Sequence, residues 1–318
     1  MTRRARRRRR VRRVILGTLR RSFRLARFTP SLSALLAEAL FRTPPKYARL
    51  RREEQELARA KFSRTPMNGT SIPTWRWGEG PGVLLVHGWG GHSGRLTPFV
   101  RPLVKAGFSV VSFDAPGHGD AGGRFSSLVE FVDAIRTVAR KHRPFEALIG
   151  HSLGAGACAL AVRQGLPVSR LVLLAPPADP EHYSGRFARF YRMPTDTRDG
   201  MKRRLESRYR IQWPDLKIAA GNCPARVLVF HDEKDTRIPF RDGVAVARAW
   251  PNATLVRTHG LGHHRILRDP RVISQTVAFV SNRMLRPTTI RNIARRRSAR
   301  PSYAEGLMNT APDGAVFA

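Results

Sequence analysis

Glu146-Ala147-Leu148-Ile149-Gly150-His151-Ser152-Leu153-Gly154-Ala155-Gly156-Ala157 is the stretch on which the fold turns. A short apolar run, the signature of a buried strand, meets a Gly-x-Ser-x-Gly turn, and small residues then open a helix predicted over 153–164. The two glycines have a steric reason. In so tight a turn a Cβ at either flanking site would collide with neighbouring backbone. Ser152 then sits at the tip in a strained conformation with its hydroxyl at the top of the sheet, as a candidate nucleophile.

Working outward, apolar runs and helical segments alternate. Val83-Leu84-Leu85-Val86-His87, Ser109-Val110-Val111-Ser112-Phe113, Arg170 to Leu174, Arg226 to Phe230 and Thr254-Leu255-Val256 read as strands. Helices are predicted over 95–106, 126–141, 240–249 and 270–284. Continuous apolar strands separated by helices imply an α/β fold with a mainly parallel, doubly wound sheet covered on both faces. Ligands of such sheets bind outside the carboxyl ends of the strands.

A serine nucleophile needs a base, and the base needs an orienting acid. Two post-strand loops supply candidates in the order Ser, acid, His. One is His231-Asp232-Glu233-Lys234-Asp235, offering Asp232 and Asp235. The other is Thr258-His259-Gly260-Leu261-Gly262-His263-His264, offering three histidines. The main-chain N–H of Leu153, at the start of its helix, is a candidate oxyanion donor. No Cys-x-x-Cys or His-Glu-x-x-His pattern points to a metal, and no cofactor is expected.

Together with His87-Gly88-Trp89-Gly90-Gly91 and Asp114-Ala115-Pro116-Gly117-His118-Gly119, these pieces make residues 70–285 resemble the α/β-hydrolase superfamily, in its serine-hydrolase branch of esterases, lipases and serine aminopeptidases. The resemblance implies an α/β-hydrolase fold with a short helical lid insertion. It assigns the acid to Asp235, with Asp232 and then Asp179 as alternatives, and the base to His263, with His264 next along the helix start pointing elsewhere and His259 as a weaker candidate. It also makes Trp89 the second oxyanion donor through its N–H, with its ring as a wall of the acyl pocket. The Asp114 to Gly119 loop is expected to shape the site without doing chemistry. The implied activity is cleavage of carboxylic esters or thioesters through a Ser152-His263-Asp235 triad and an acyl-enzyme. Amide, peptide or carbon–carbon bond cleavage uses the same machinery. An inactive hydrolase fold that binds membrane or nucleic acid through its basic arm is the rival from another class.

The stretch 179–220 interrupts the alternation where the superfamily carries a cap. Its aromatic residues Tyr183, Phe187 and Phe190 are, with Trp89, the expected substrate contacts. Nine Lys and Arg lie between Arg186 and Arg210, which tracks the general arginine enrichment of the chain.

The 318 residues carry 58 Lys and Arg against 23 Asp and Glu, a formal charge of +35, with 42% hydrophobic residues. This excludes collagen, a disulfide scaffold and wholesale disorder. The charge is uneven. Residues 1–64 hold 21 Lys and Arg with four acids, residues 283–318 hold seven with two, and the long middle holds the remaining +13. We therefore expect a basic, partly disordered extension over 1–64, a catalytic domain over 65–285 starting near Thr70, and a basic, disordered tail over 286–318. Helices are read at Ser31–Phe41 and over 46–61. Residues 1–28 are a candidate for peripheral contact with anionic membrane, nucleic acid is disfavoured, and the expected small-molecule partner is an acyl ester. Export on a twin-arginine signal is disfavoured because Arg27 and Pro30 interrupt the apolar stretch, so a cytoplasmic place, with contact at the inner membrane face, is expected. Cys158 and Cys223 are read as free thiols.

Overall fold

The apolar runs form the centre of an eight-stranded sheet in a computed structural model that describes residues 16–23, 29–142, 144–220 and 224–282. The strands are β1 (Lys61–Met67), β2 (Thr70–Trp77), β3 (Gly82–Val86), β4 (Ser109–Phe113), β5 (Phe145–His151), β6 (Arg170–Leu174), β7 (Arg226–Asp232) and β8 (Ala253–Thr258). Their order is β1-β2-β4-β3-β5-β6-β7-β8. From β4 to β8 neighbours run parallel, while β2 is antiparallel to both β1 and β4. This is the α/β-hydrolase fold that the sequence predicts.

Alternation along each central strand builds two cores. Leu84, Val86, Leu148, Leu171 and Val229 face one side, against helices α4 (Leu128–His142) and α5 (Leu153–Arg163). Val83, Leu85, Ile149, Val172 and Leu228 face the other, against α3 (Val100–Lys105) and α10 (Pro270–Val280). Both faces are dry, so the central strands carry no polar face to solvent.

The expected boundary at residue 65 falls inside β1, whose ladder runs from Lys61↔Arg76 to Met67↔Thr70. The folded unit therefore begins well before Thr70. Helix α1 (Pro30–Phe41) matches its expectation closely, but the predicted helix over 46–61 shrinks to α2 (Arg51–Leu57) because Lys61 already belongs to the sheet. The segment between α1 and α2 crosses the loops that follow β3 and β4. Pro45 lies so near Gly90 that a Cβ there would come within 2.8 Å of its ring. The Arg42 carbonyl accepts the Ser126 N–H at 2.7 Å.

The insertion between β6 and β7 folds into α6 (Pro180–Tyr191) and α7 (Thr195–Tyr209), and α1 packs along α7. That contact is polar. Ser33 Oγ meets Thr197 Oγ1 at 2.9 Å, and the buried Glu38 carboxylate accepts from Arg204 at 2.7 Å and also from Arg208 and Arg42. Among the described residues, no helix is long and apolar enough to cross a membrane. Cys158 is a buried free thiol. Cys223, the tail over 286–318 and most of the first 28 residues lie outside the described residues.

Candidate active site

The turn from β5 into α5 carries Ser152 at φ 53° and ψ −123°, a strained conformation for a residue with a side chain. The flanking glycines are required there. A Cβ on Gly150 would lie 2.6 Å from the Ala155 Cα, and one on Gly154 would overlap the carbonyl oxygen of His87. The serine N–H is held by the Leu174 carbonyl at 2.9 Å. Its Oγ is buried and has no hydrogen-bond partner.

His263 opens α9 (Gly262–Arg265), the helix after α8 (Phe240–Ala249), and is buried. Its Nδ1 lies 2.7 Å from Asp235 Oδ2. A carboxylate can only accept, so Nδ1 carries a proton, and in the neutral ring Nε2 is the lone-pair nitrogen. That Nε2 is also buried and unpartnered. Burial pushes the Asp235 carboxyl up, but the His263 hydrogen bond and the N–H groups of Ile238 and Arg237 outweigh it and hold the acid below the usual carboxylate range.

The alternative residues have other partners. Asp232 accepts from the Lys234 and Leu261 N–H groups and from the Thr258 hydroxyl, each at 2.9 Å, and so ties together the loops that carry Asp235 and His263. Asp179 caps α6 by accepting the Glu181 N–H at 3.0 Å. His259 is exposed and pairs with Glu233 at 3.1 Å, while the His264 ring lies 6.2 Å from that of His151.

His151, given no role in the sequence, does have one in the structure. Its Nε2–H donates to the His263 carbonyl at 2.9 Å, and the two rings lie 4.6 Å apart. Burial, then the neighbouring His263, lowers its pKa well below the usual value and keeps it neutral. The residue just before the serine thus fixes the main chain of the histidine. Only its place inside the Gly-x-Ser-x-Gly turn hinted at this. His87 acts similarly. Its Nδ1–H donates to the Gly88 carbonyl at 2.8 Å while Nε2 accepts the Ala115 N–H at 3.0 Å, joining the loops after β3 and β4.

Gly88 passes directly against the serine, since a Cβ on it would lie 2.9 Å from the Ser152 Cβ. This carries the following residue, Trp89, into the same corner. Leu153 is the first residue of α5, so its N–H has no acceptor within the helix. Asp114 is fully buried. It accepts the Ser93 N–H at 2.7 Å and the Asp120 N–H at 2.8 Å, and it pairs with Arg49, which is how this loop keeps its shape.

A cavity of about 10 Å³ touches Ser152 and is lined by Leu153, Pro177, Pro180, Tyr183 and Ile238. A larger one of about 50 Å³ shares Leu153 and Pro180 with it, and Phe41, Trp89, Leu128 and Trp213 contribute to its apolar lining. Trp89 lines the larger cavity and Tyr183 the smaller, and the Tyr183 hydroxyl is anchored on Asp242 at 2.7 Å. Phe187 and Phe190 line neither cavity. Phe187 packs on Phe41 and Tyr191, and Phe190 turns to Arg20, whose guanidinium donates to its carbonyl. Phe41, from a helix outside the expected catalytic domain, lines the larger cavity.

The fold and this strand–serine–helix corner define a class of enzyme-like α/β proteins, and comparison with known proteins agrees. The model of the alpha/beta hydrolase family matches residues 83–217, which include Ser152 but neither Asp235 nor His263. A monoacylglycerol lipase of Mycolicibacterium smegmatis is 35% identical over 82 residues, covering 23% of this chain and 29% of the relative. A pimeloyl-[acyl-carrier protein] methyl ester esterase of Pseudoalteromonas atlantica is 32% identical over 108 residues, covering 33% and 41%. The chain thus spans less than half the length of these curated relatives. An esterase structure from Pyrococcus furiosus superposes with a TM-score of 0.56 at 16% identity, covering 76% of this chain and 97% of that one. Over residues 83–217 the chain matches the alpha/beta hydrolase family, and its fold is that of the α/β hydrolases.

Proposed function

We propose that this protein is a serine hydrolase of carboxylic esters, with thioesters as close substrates. The carrying observation is the 2.7 Å bond from His263 Nδ1 to Asp235, which orients the base, together with a buried Nε2 and a buried, strained Ser152 hydroxyl that each lack a hydrogen-bond partner. The ester-hydrolase names of the relatives support the same reading.

In this reading His263 Nε2 takes the Ser152 proton as Oγ attacks the acyl carbon. The N–H groups of Leu153 and Trp89 receive the oxyanion, and Asp235 holds the imidazolium that forms. The proton passes to the leaving alkoxide, giving the alcohol and an acyl-Ser152. Water, activated by the same histidine, then attacks the acyl-enzyme and releases the acid. The acyl chain lies in the apolar cavity beside Trp89 and Phe41, and α6 and α7 act as its lid, moving to admit a chain that the present volume is too small to hold.

The test is hydrolysis of short p-nitrophenyl esters together with labelling by a fluorophosphonate probe. The wild type is expected to do both, and Ser152→Ala neither. Full labelling of Ser152→Ala removes the nucleophile assignment, and a folded wild type inert to every ester and thioester removes the reading itself.

A further inference from the structure

Helix α1 is packed the wrong way round for a surface helix. Its buried face carries Ser33, Ala34, Ala37 and Glu38, and its outer face carries Leu32, Leu35 and Leu36 at exposures of 65%, 45% and 38%. An amphipathic helix ordinarily docks by burying its leucines and leaving carboxylates in water. Here the clasp that seats the helix is polar, built from Ser33 on Thr197 and from Glu38 on Arg42, Arg204 and Arg208. The leucines, spaced i, i+3 and i+4, form one stripe on the face away from that clasp.

The stripe has a local context. The exposed large hydrophobic side chains among the described residues are these three leucines with Tyr47, Leu50 and Phe62, all within residues 32–62. The chain leading into α1 is strongly cationic, with 13 arginines and no acid in residues 1–27. Leucines rising from a helix that follows a dense run of arginines match a surface that offers negative charge at its face and hydrocarbon just beneath. Nucleic acid would reward the arginines but not the leucines.

We propose that the outer face of α1 is a membrane-docking surface. Leu32, Leu35 and Leu36 enter the acyl boundary of an anionic bilayer, and the preceding arginines hold the headgroups. The inner face of the same helix is clasped to α7, and its last residue, Phe41, lines the apolar cavity. Docking would therefore set that cavity beside the bilayer. The inference does not depend on the catalytic reading, because binding is measured without turnover.

The experiment is co-sedimentation of the full chain with vesicles of phosphatidylcholine mixed with phosphatidylglycerol, and with vesicles of phosphatidylcholine alone. Binding is expected to the mixed vesicles only. The triple variant L32S/L35S/L36S is expected to bind them about tenfold more weakly or worse, while its melting temperature stays that of the wild type. As a second probe, L35W is expected to show bromolipid quenching of its added fluorescence. Wild-type-like vesicle binding by the triple variant, with L35W unquenched, overturns the proposal and leaves a purely electrostatic arm. Binding to RNA but not to vesicles overturns it in favour of nucleic acid. A dimer that the triple variant splits, with no vesicle binding by the wild type, overturns it in favour of self-association. A large loss of melting temperature in the triple variant also overturns it, because the leucines would then be covered by the chain itself.

Discussion

The corner around Ser152 and the contact between α1 and α7 are held together by opposite means. At the corner, backbone meets backbone. Gly154 touches the His87 carbonyl, the Ser152 N–H is bonded to the Leu174 carbonyl, and His151 holds the His263 carbonyl. At the α1–α7 contact side chains do the holding, with Glu38, Ser33 and Thr197 buried while Arg204 and Arg208 reach partly into water. The first arrangement tolerates almost no change because no atom can move aside. The second can be retuned one side chain at a time. Under the proposed function, chemistry belongs to the fixed corner and acyl-chain size is set where α1 meets α7.

The largest effect should come from the fixed corner. Asp235→Asn keeps the shape but removes the acceptor that places the proton on Nδ1, and kcat for a soluble nitrophenyl ester should fall by about 10,000-fold. A loss of tenfold or less would mean that another carboxylate, Asp232 first, orients the base. Next, Gly154→Ala drives a methyl into the His87 carbonyl and should cost about 3 kcal/mol in urea unfolding. A neutral result would show that the corner can relax after all, which would blur the contrast.

On the adjustable side, Phe41→Ala should change preference more than rate. Opening the cavity should raise kcat/KM for long acyl esters relative to short ones by about tenfold. An unchanged ratio would detach α1 from size selection. Glu38→Gln should be the mildest, at about 1 kcal/mol, because its arginine partners are partly solvated. Burial raises the Glu38 pKa, but the Arg208 and Arg204 hydrogen bonds more than reverse this and hold it below the ordinary value. The folded-state pKa is depressed, so the stabilisation is full above the unfolded-state value and is lost as pH falls through the folded one. The stability gap between wild type and Glu38→Gln should therefore close as pH is lowered from neutral through the acid range. A gap that stays constant would mean the carboxylate charge does not seat the helix.

The parallel strands were legible because each is an unbroken apolar run buried on both faces. The antiparallel pair was not. Lys-Phe-Ser-Arg-Thr-Pro-Met in β1 is polar and contains Pro66, which an edge strand tolerates and a central one does not. The serine corner could be read from its glycines, since their steric demand is local. The choice between Asp235 and Asp232 rested on resemblance, because both follow the same strand and only the folded loop separates them. Phe41 escaped notice because its role depends on packing beside residues such as Leu205 and Trp213, far along the chain. Phe187 and Phe190 were misplaced for a related reason. Aromatic content marks a helix as packed but does not give the direction each ring takes.

The clasp between α1 and α7 has a consequence for synthesis. Residues 30–41 are made first, and Thr197, Arg204 and Arg208, which seat them, follow more than 150 residues later. Throughout that interval the nascent helix has only Arg42, of the three arginines, as partner for its carboxylate, and its leucines face whatever the emerging chain meets first. At about 5–20 residues per second the delay lasts many seconds, long enough for a nearby surface to capture the amino terminus before the sheet beneath it is complete.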